Sequence, residues 1–345
     1  MSDIANDFEG CSVCVLPANF PGVNLVEGIC QYCRDNDSGE KIRAQRQILK
    51  DELDEVLNNA RGEGDYDVIV AFSGGKDSSY ILAELVREYS LRALAITIDN
   101  GFVSEQAKKN AAAVTARLGV DHLVFTPNFD FMSRMYRASA ERPDLHPPAA
   151  IKRASAMCNS CINLINIYMV KMALRHECEI IAGGYIAGQV PKDAAVMKLD
   201  VGKHLKMNNH TLNKYVGHLG SQSEKYFSLQ KLERFANERR LLVVNPMLAM
   251  TVSESEIIDT VSELGWERPS DTGVHSSNCQ LNDLGIAIHY KQHGFHPYVA
   301  EIAEQVRAGT MSRDDAMRRI QDVKYSGPPV EAAAAKLGLD PGMLL

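Results

Sequence analysis

Short, fully apolar runs alternate along this chain with longer segments that are apolar on one side only. The runs at 67–72 (DVIVAF), 93–98 (ALAITI), 122–125, 179–182 (EIIA) and 241–245 (LLVVN) read as strands. Segments 41–61, 78–89, 104–118, 131–141, 163–176 and 253–264 read as helices. In the first of these, Leu49, Leu53, Val56 and Leu57 share a face, and the glycines at 62–64 end the helix. The tail from His296 also reads as helical, with Ser312 and Asp315 in an N-cap pattern ahead of 316–320.

Apolar strands alternating with helices predict a doubly wound α/β fold, with a parallel sheet covered on both faces. Ligands of such sheets sit at the carboxyl ends of the strands. Ser73, Asp99 and Gly183 lie at those ends. The long polar stretch 189–240 reads as an insertion near the site. Four regions follow: a cysteine module (1–40), a linker helix (41–64), a nucleotide-binding domain (65–265) and a helical C-terminal region (266–345).

Residues 68–79 read VIVAFSGGKDSS. A buried strand enters a glycine turn, and a helix leaves it. Gly74 and Gly75 let the backbone point its N–H groups at an anion, and the helix N-terminus adds positive potential. Ser73, Ser78 and Ser79 offer hydroxyls, and Lys76 a cation. Asp77 would repel a bare phosphate, so its expected partner is a Mg2+ carried by a triphosphate.

Six of the eight cysteines stand in C-x-x-C pairs. Cys11, Cys14, Cys30 and Cys33 are two such pairs fifteen residues apart. That spacing suits a closed tetrahedral Zn2+ site, whose metal supplies folding energy to a segment too short for its own core. Cys158 and Cys161 stand before the helix predicted at 163, where a helix N-terminus lowers thiol pKa. Cys279 is alone in a polar loop at 276–280. Three chemistries fit this trio: a persulfide-carrying redox pair, three ligands of a [4Fe-4S] cluster, or inert thiols. Cys178, just before a predicted strand, reads as a packed core thiol.

Weaker candidates remain. Lys192, Lys198, Lys203, Lys206 and Lys214, with His204, His210 and His218, form a cationic stretch suited to a solvated face or an anionic substrate. His289, His293 and His296 have loose metal-like spacing without a carboxylate, which points to a surface or substrate-contact role. Asp99 is either a ligand contact or a turn residue before Gly101.

Composition narrows the setting. The net charge of −7, from 37 basic and 44 acidic residues, is unlike a dedicated nucleic-acid binder. No apolar run reaches the roughly 20 residues of a membrane span. The acidic start carries no signal-peptide pattern, so a cytoplasmic protein is expected.

The loop SGGKDSS resembles the signature of the PP-loop ATP-pyrophosphatase superfamily and departs from the Walker A pattern. The resemblance spans about 67–264 and implies an adenine nucleotide alpha-hydrolase-like domain. It implies ATP bound by Ser73, Gly74, Gly75, Lys76, Asp77, Ser78 and Ser79, with Asp99, Gly183 and Gly184 nearby, and cleaved between its α and β phosphates to adenylate a substrate oxygen. The C-x-x-C with a distant cysteine resembles the iron–sulfur-dependent tRNA-thiolation branch. Carried over, Cys158, Cys161 and Cys279 would hold a [4Fe-4S] cluster and act with Asp77 in catalysis. A second C-terminal zinc module of that branch is absent. The opening CSVCVLP…GICQYC and the tail at 307–316 resemble instead the N-acetyl-sugar amidotransferases, which take ammonia from a partner glutaminase.

These resemblances imply an ATP-dependent sulfurtransferase with sulfide or a sulfur-carrier protein as donor; the acidic charge and the absent second zinc module favour a small-molecule acceptor, with tRNA as the other acceptor the resemblance allows. Amidation of an N-acetyl sugar is the alternative, and a nucleotide-binding module without hydrolysis is a third class, which Asp77 disfavours. A homodimer is compatible with either enzyme.

Overall fold

A computed structural model describes residues 8–35, 39–61, 64–232 and 240–340. Two two-residue strands, β1 (Leu25–Val26) and β2 (Ile29–Cys30), form an antiparallel hairpin in the cysteine module. The main sheet holds β3 (Val68–Ala71), β4 (Ala93–Ile98), β5 (Asp121–Phe125), β6 (Ile180–Ala182), β7 (Val196–Leu199) and β8 (Leu241–Val244). Their order is β5-β4-β3-β6-β8-β7, parallel except for the antiparallel edge strand β7.

The apolar runs are continuous because both faces of the sheet are covered. Side-chain alternation sends Val68 and Val70 to one face, where they meet Leu49, Leu53 and Leu57 of the Gly39–Asn58 helix and Ile81 and Leu82 of the Lys76–Arg87 helix. Ile69, Leu94 and Ile96 go to the other face, against Phe131, Tyr136, Leu164 and Met169. Burying one such side chain stabilises the fold by about 1.5–3 kcal/mol.

The chain leaves β3 toward β4 on one side and later returns as β6 on the other. The crevice at that reversal is where doubly wound sheets bind ligands. The SGGKDSS loop leaves β3 there, and Gly183 and Gly184 leave β6 beside it.

Three elements differ from the sequence reading. The predicted insertion at 189–240 supplies β7 and the Val201–Leu219 helix; β7 is a half-buried edge strand, so it lacks the apolar run of an inner strand. The helix predicted from 163 starts at Ala156, because Ser155 caps it by accepting the Cys158 N–H at 3.2 Å. The stop predicted at 62–64 lies largely outside the described residues.

A third core joins the two ends of the chain. Val15, Leu16 and Phe20 of the cysteine module pack with Phe295, Val299, Ile302 and Ile320 of the C-terminal helices. Phe20 meets Phe295 edge-on at 5.1 Å between ring centroids. No helix among the described residues is long and apolar enough to cross a membrane.

Candidate functional site

The SGGKDSS loop, the candidate phosphate loop, is locked by its own hydroxyls. Ser78 Oγ accepts the Ser73 N–H at 3.2 Å, and Ser73 Oγ accepts that of Gly75 at 3.2 Å. Gly74 has φ +72°, and a Cβ there would stand 2.2 Å from the Ala107 carbonyl oxygen, so only glycine fits. Gly75 caps the Lys76–Arg87 helix, leaving the first-turn N–H groups at the head of the loop. Gly184 passes so close that a Cβ would lie 3.2 Å from the Ser78 nitrogen. Ser79 Oγ is buried and has no hydrogen-bond partner.

Charges around the loop are paired. Lys76 Nζ lies 2.7 Å from Asp77 Oδ1 and 3.8 Å from Glu254 Oε1. Glu254 also meets Arg319 at 2.9 Å. Asp99 acts as a turn residue, accepting the Gly101 N–H at 3.0 Å, and meets Lys108 Nζ at 3.1 Å.

The loop holding Cys279 closes over this site. Ser277 Oγ accepts the Lys76 N–H at 3.2 Å. Val103 and Cys279 form an antiparallel bridge, with Gln280 N–H donating to the Phe102 carbonyl at 2.9 Å. The Ala156–Arg175 helix presents Cys158 and Cys161 in its first two turns. The three thiols are near enough for Cys158 and Cys161 to oppose ionisation of Cys279. They do not converge as a single-ion site: among the described residues, only the N-terminal four do.

The low thiol pKa expected at Cys161 is not found. Burial pushes Cys161 up, although the nearby Tyr136 hydroxyl and the hydrogen bond from Asn100 oppose it. Burial pushes Cys279 up to about 12, with the Cys161 and Cys158 charges adding to it. The helix dipole does not outweigh the loss of water. Neutral donors surround the trio instead. Asn100 Nδ2 donates to Cys161 Sγ at 3.4 Å. Tyr298 Oη lies 3.6 Å from Cys158 Sγ.

Cys11, Cys14, Cys30 and Cys33 bring their sulfurs within 4.8 Å of one another, and the first three are fully buried. The Cys11–Cys33 and Cys14–Cys30 sulfur separations are both 3.7 Å. A tetrahedral ion with bonds of about 2.3 Å places its sulfurs about 3.8 Å apart. A cubane cluster bonds each cysteine to a different iron and needs wider spacing. The residues therefore fit one tetrahedral ion. Backbone N–H groups of Cys30 and Cys14 reach Cys11 Sγ at 3.3 and 3.5 Å, and Arg307 Nη1 reaches Cys14 Sγ at 3.4 Å.

Other candidates separate. Lys192 pairs with Glu304 at 2.8 Å and Lys203 with Asp200 at 3.6 Å, while the side chain of Lys206 lies outside the described residues. His289 and His296 are buried rather than superficial, each 2% exposed, because they pack among Phe295, His293 and His275. Cys178 is a core thiol, 2% exposed.

Sequence reasoning missed four neighbours of the site. Trp266, the chain's single tryptophan, donates from Nε1 to the Gly74 carbonyl at 3.0 Å. Ser277 stood in view beside Cys279 without an assigned role. Tyr298 carried no local signal. Glu301 receives Gln189 Nε2 at 3.0 Å. Burial pushes its carboxyl up to about 7; the Gln189 bond opposes this and the Asp77 charge adds to it.

No family model matches the chain. An uncharacterised protein of Methanocaldococcus jannaschii is 25% identical over 317 residues, covering 91% of this chain and 94% of that protein. Among solved structures, NMN synthetase from Francisella tularensis is 13% identical, covering 88% of this chain and 98% of its own, with a TM-score of 0.39. The U34-tRNA thiolase NcsA from Methanococcus maripaludis, with its [4Fe-4S] cluster, is 13% identical, covers 92% and 89%, and has a TM-score of 0.36. The NH3-dependent NAD synthetase from Campylobacter jejuni is 12% identical, covers 87% and 96%, and has a TM-score of 0.36.

Proposed function

We propose that this protein is a PP-loop ATP-pyrophosphatase-type transferase that adenylates a substrate oxygen and replaces it with sulfur. One observation carries the reading: the Cys279 loop is bonded to the phosphate loop through Ser277 and Lys76, and brings Cys279 toward Cys158 and Cys161.

The N–H groups after Gly74 and Gly75 and the helix N-terminus receive the triphosphate. Lys76 neutralises phosphate charge, and Asp77 meets the Mg2+ that accompanies it. Adenylation turns a poor oxide leaving group into AMP and releases pyrophosphate. The three-thiol donor set, ringed by neutral hydrogen-bond donors, fits a [4Fe-4S] cluster, which supplies an iron without a protein ligand where sulfide can bind. Cys158, Cys161 and Cys279 hold that group beside the phosphate loop. Cys11, Cys14, Cys30 and Cys33 hold a structural Zn2+. The net charge of −7 favours a small-molecule acceptor over tRNA.

One observation favours the alternative, amidation of an N-acetyl sugar. The two segments resembling that family form one unit here, with Arg307 of the tail against Cys14 of the module. Amination, however, gives the three central cysteines no task.

The test is nucleophile dependence. Anaerobically purified protein is incubated with ATP, a metabolite pool and either sulfide or ammonia. Sulfide-dependent AMP formation with a product gaining sulfur in place of oxygen supports the proposal. AMP formation that follows ammonia alone overturns it in favour of amidation.

A further inference from the structure

Four phenols surround the three central cysteines: Tyr136, Tyr185, Tyr215 and Tyr298. Three have partners. Tyr185 Oη donates to Asn166 Oδ1 at 3.3 Å, and Tyr215 Oη to Ser160 Oγ at 3.1 Å. Tyr298 Oη accepts Asn282 Nδ2 at 2.6 Å, which leaves its proton for the Cys158 sulfur at 3.6 Å.

Tyr136 is the exception. Its side chain is fully buried, and its hydroxyl stands against Cys161 with no protein partner held at full hydrogen-bond geometry. The ring is held by Phe102, 5.9 Å away between centroids, next to the backbone that bridges Cys279. The hydroxyl faces Cys161 and feels the charges of Cys161, Cys279 and Cys158 together. A phenol buried without a partner costs stability, and phenylalanine would fill the same space without that cost. The hydroxyl therefore has a use beyond the packing of the ring.

Resting on the sulfur-transfer reading above, we propose that Tyr136 is a positioning residue that donates a hydrogen bond to a sulfur of the group held among Cys158, Cys161 and Cys279. A donor at that place stabilises added negative charge on the sulfur, so it raises the reduction potential of an iron–sulfur centre. No covalent step is assigned to it.

The test compares full-length wild type with Tyr136→Phe, each reconstituted anaerobically with iron and sulfide. Iron per chain, the midpoint potential and the melting temperature of the protein before reconstitution are measured. The expected result is equal iron, a lower potential in Tyr136→Phe, and an unchanged or higher melting temperature before reconstitution. Equal potentials overturn the inference and leave the sulfur-transfer reading standing. A Tyr136→Phe protein that melts earlier or fails to fold before reconstitution also overturns it, because the hydroxyl then serves the fold itself. Failure of the wild type to take up iron overturns the inference and the reading together.

Discussion

The Ser277 hydroxyl accepts the backbone N–H of Lys76 at 3.2 Å, joining residues 201 positions apart. Lys76 opens the helix whose N-terminus heads the phosphate loop, so this N–H belongs to the unsatisfied first turn. The same loop carries Cys279. One hydroxyl thus sets the distance between the phosphate loop and the third cysteine.

Ser277→Ala should leave the fold intact and loosen that setting. The lost bond is worth about 0.5–1.5 kcal/mol. ATP-dependent pyrophosphate release should fall by roughly the corresponding 2- to 10-fold. Pyrophosphate release at saturating and limiting ATP checks this, and wild-type rates in both regimes would dismiss the coupling.

Much of this site was legible in the sequence, for local reasons. The strand, two glycines and following helix of the phosphate loop occupy twelve consecutive residues, 68–79. The four N-terminal cysteines declare themselves by spacing. The meeting of Cys279 with the Ala156–Arg175 helix does not, because it depends on the Val103 bridge formed across the sheet. The helix start at Ala156 depends on the Ser155 cap, which the apolar pattern from 163 does not reveal. The burial of His289 comes from packing against Phe295 and His293, and that of His296 from His275 and Tyr298, and only the folded chain shows it. The edge strand β7 is half-buried and was hidden in a polar stretch.

The Glu301 carboxyl makes a pH prediction. Asp77, Lys76, Arg319 and the Gln189 amide face it, and burial dominates, pushing its pKa up to about 7. An unfolded glutamate titrates near 4.3. The folded state therefore holds this proton more tightly, and its stabilising effect is full below about pH 4.3 and is lost as pH rises toward 7. Glu301→Gln should remove that slope and be more stable than wild type at pH 8 by up to about 4 kcal/mol. Urea unfolding at several pH values checks the sign; a variant less stable at pH 8 would contradict it.

The four-cysteine module should behave as part of the C-terminal core. Metal analysis should find about one zinc per chain bound at this site. The Cys11→Ser/Cys14→Ser double variant should lose it. Because Phe20 packs on Phe295 and Arg307 reaches Cys14, the loss should also loosen the C-terminal helices. Hydrogen exchange should then rise over Val299–Arg307 as well as over the module. Exchange confined to residues 8–35 would show that the two ends are independent.

The last prediction separates the central cysteines from the buried one. Protein purified without oxygen should be brown, with broad absorption near about 400 nm from thiolate-bound iron–sulfur centres. Cys158→Ser, Cys161→Ser and Cys279→Ser should each lose most of that colour, since each removes one of three protein ligands. Cys178→Ser should keep it. Cys178 is buried in the apolar core and its Sγ donates to the Ile180 carbonyl at 3.4 Å, away from the phosphate loop's own contacts. Its replacement should instead lower stability, because a hydroxyl replaces a packed sulfur in the core. Iron and acid-labile sulfide per chain, measured beside the melting temperature, give the two effects independently. Colour lost equally in all four variants would point to a folding defect rather than to ligand loss. Colour kept in Cys279→Ser would remove that residue from the ligand set and leave its loop as a backbone clamp, tied through Ser277 to Lys76 and through the bridge to Val103.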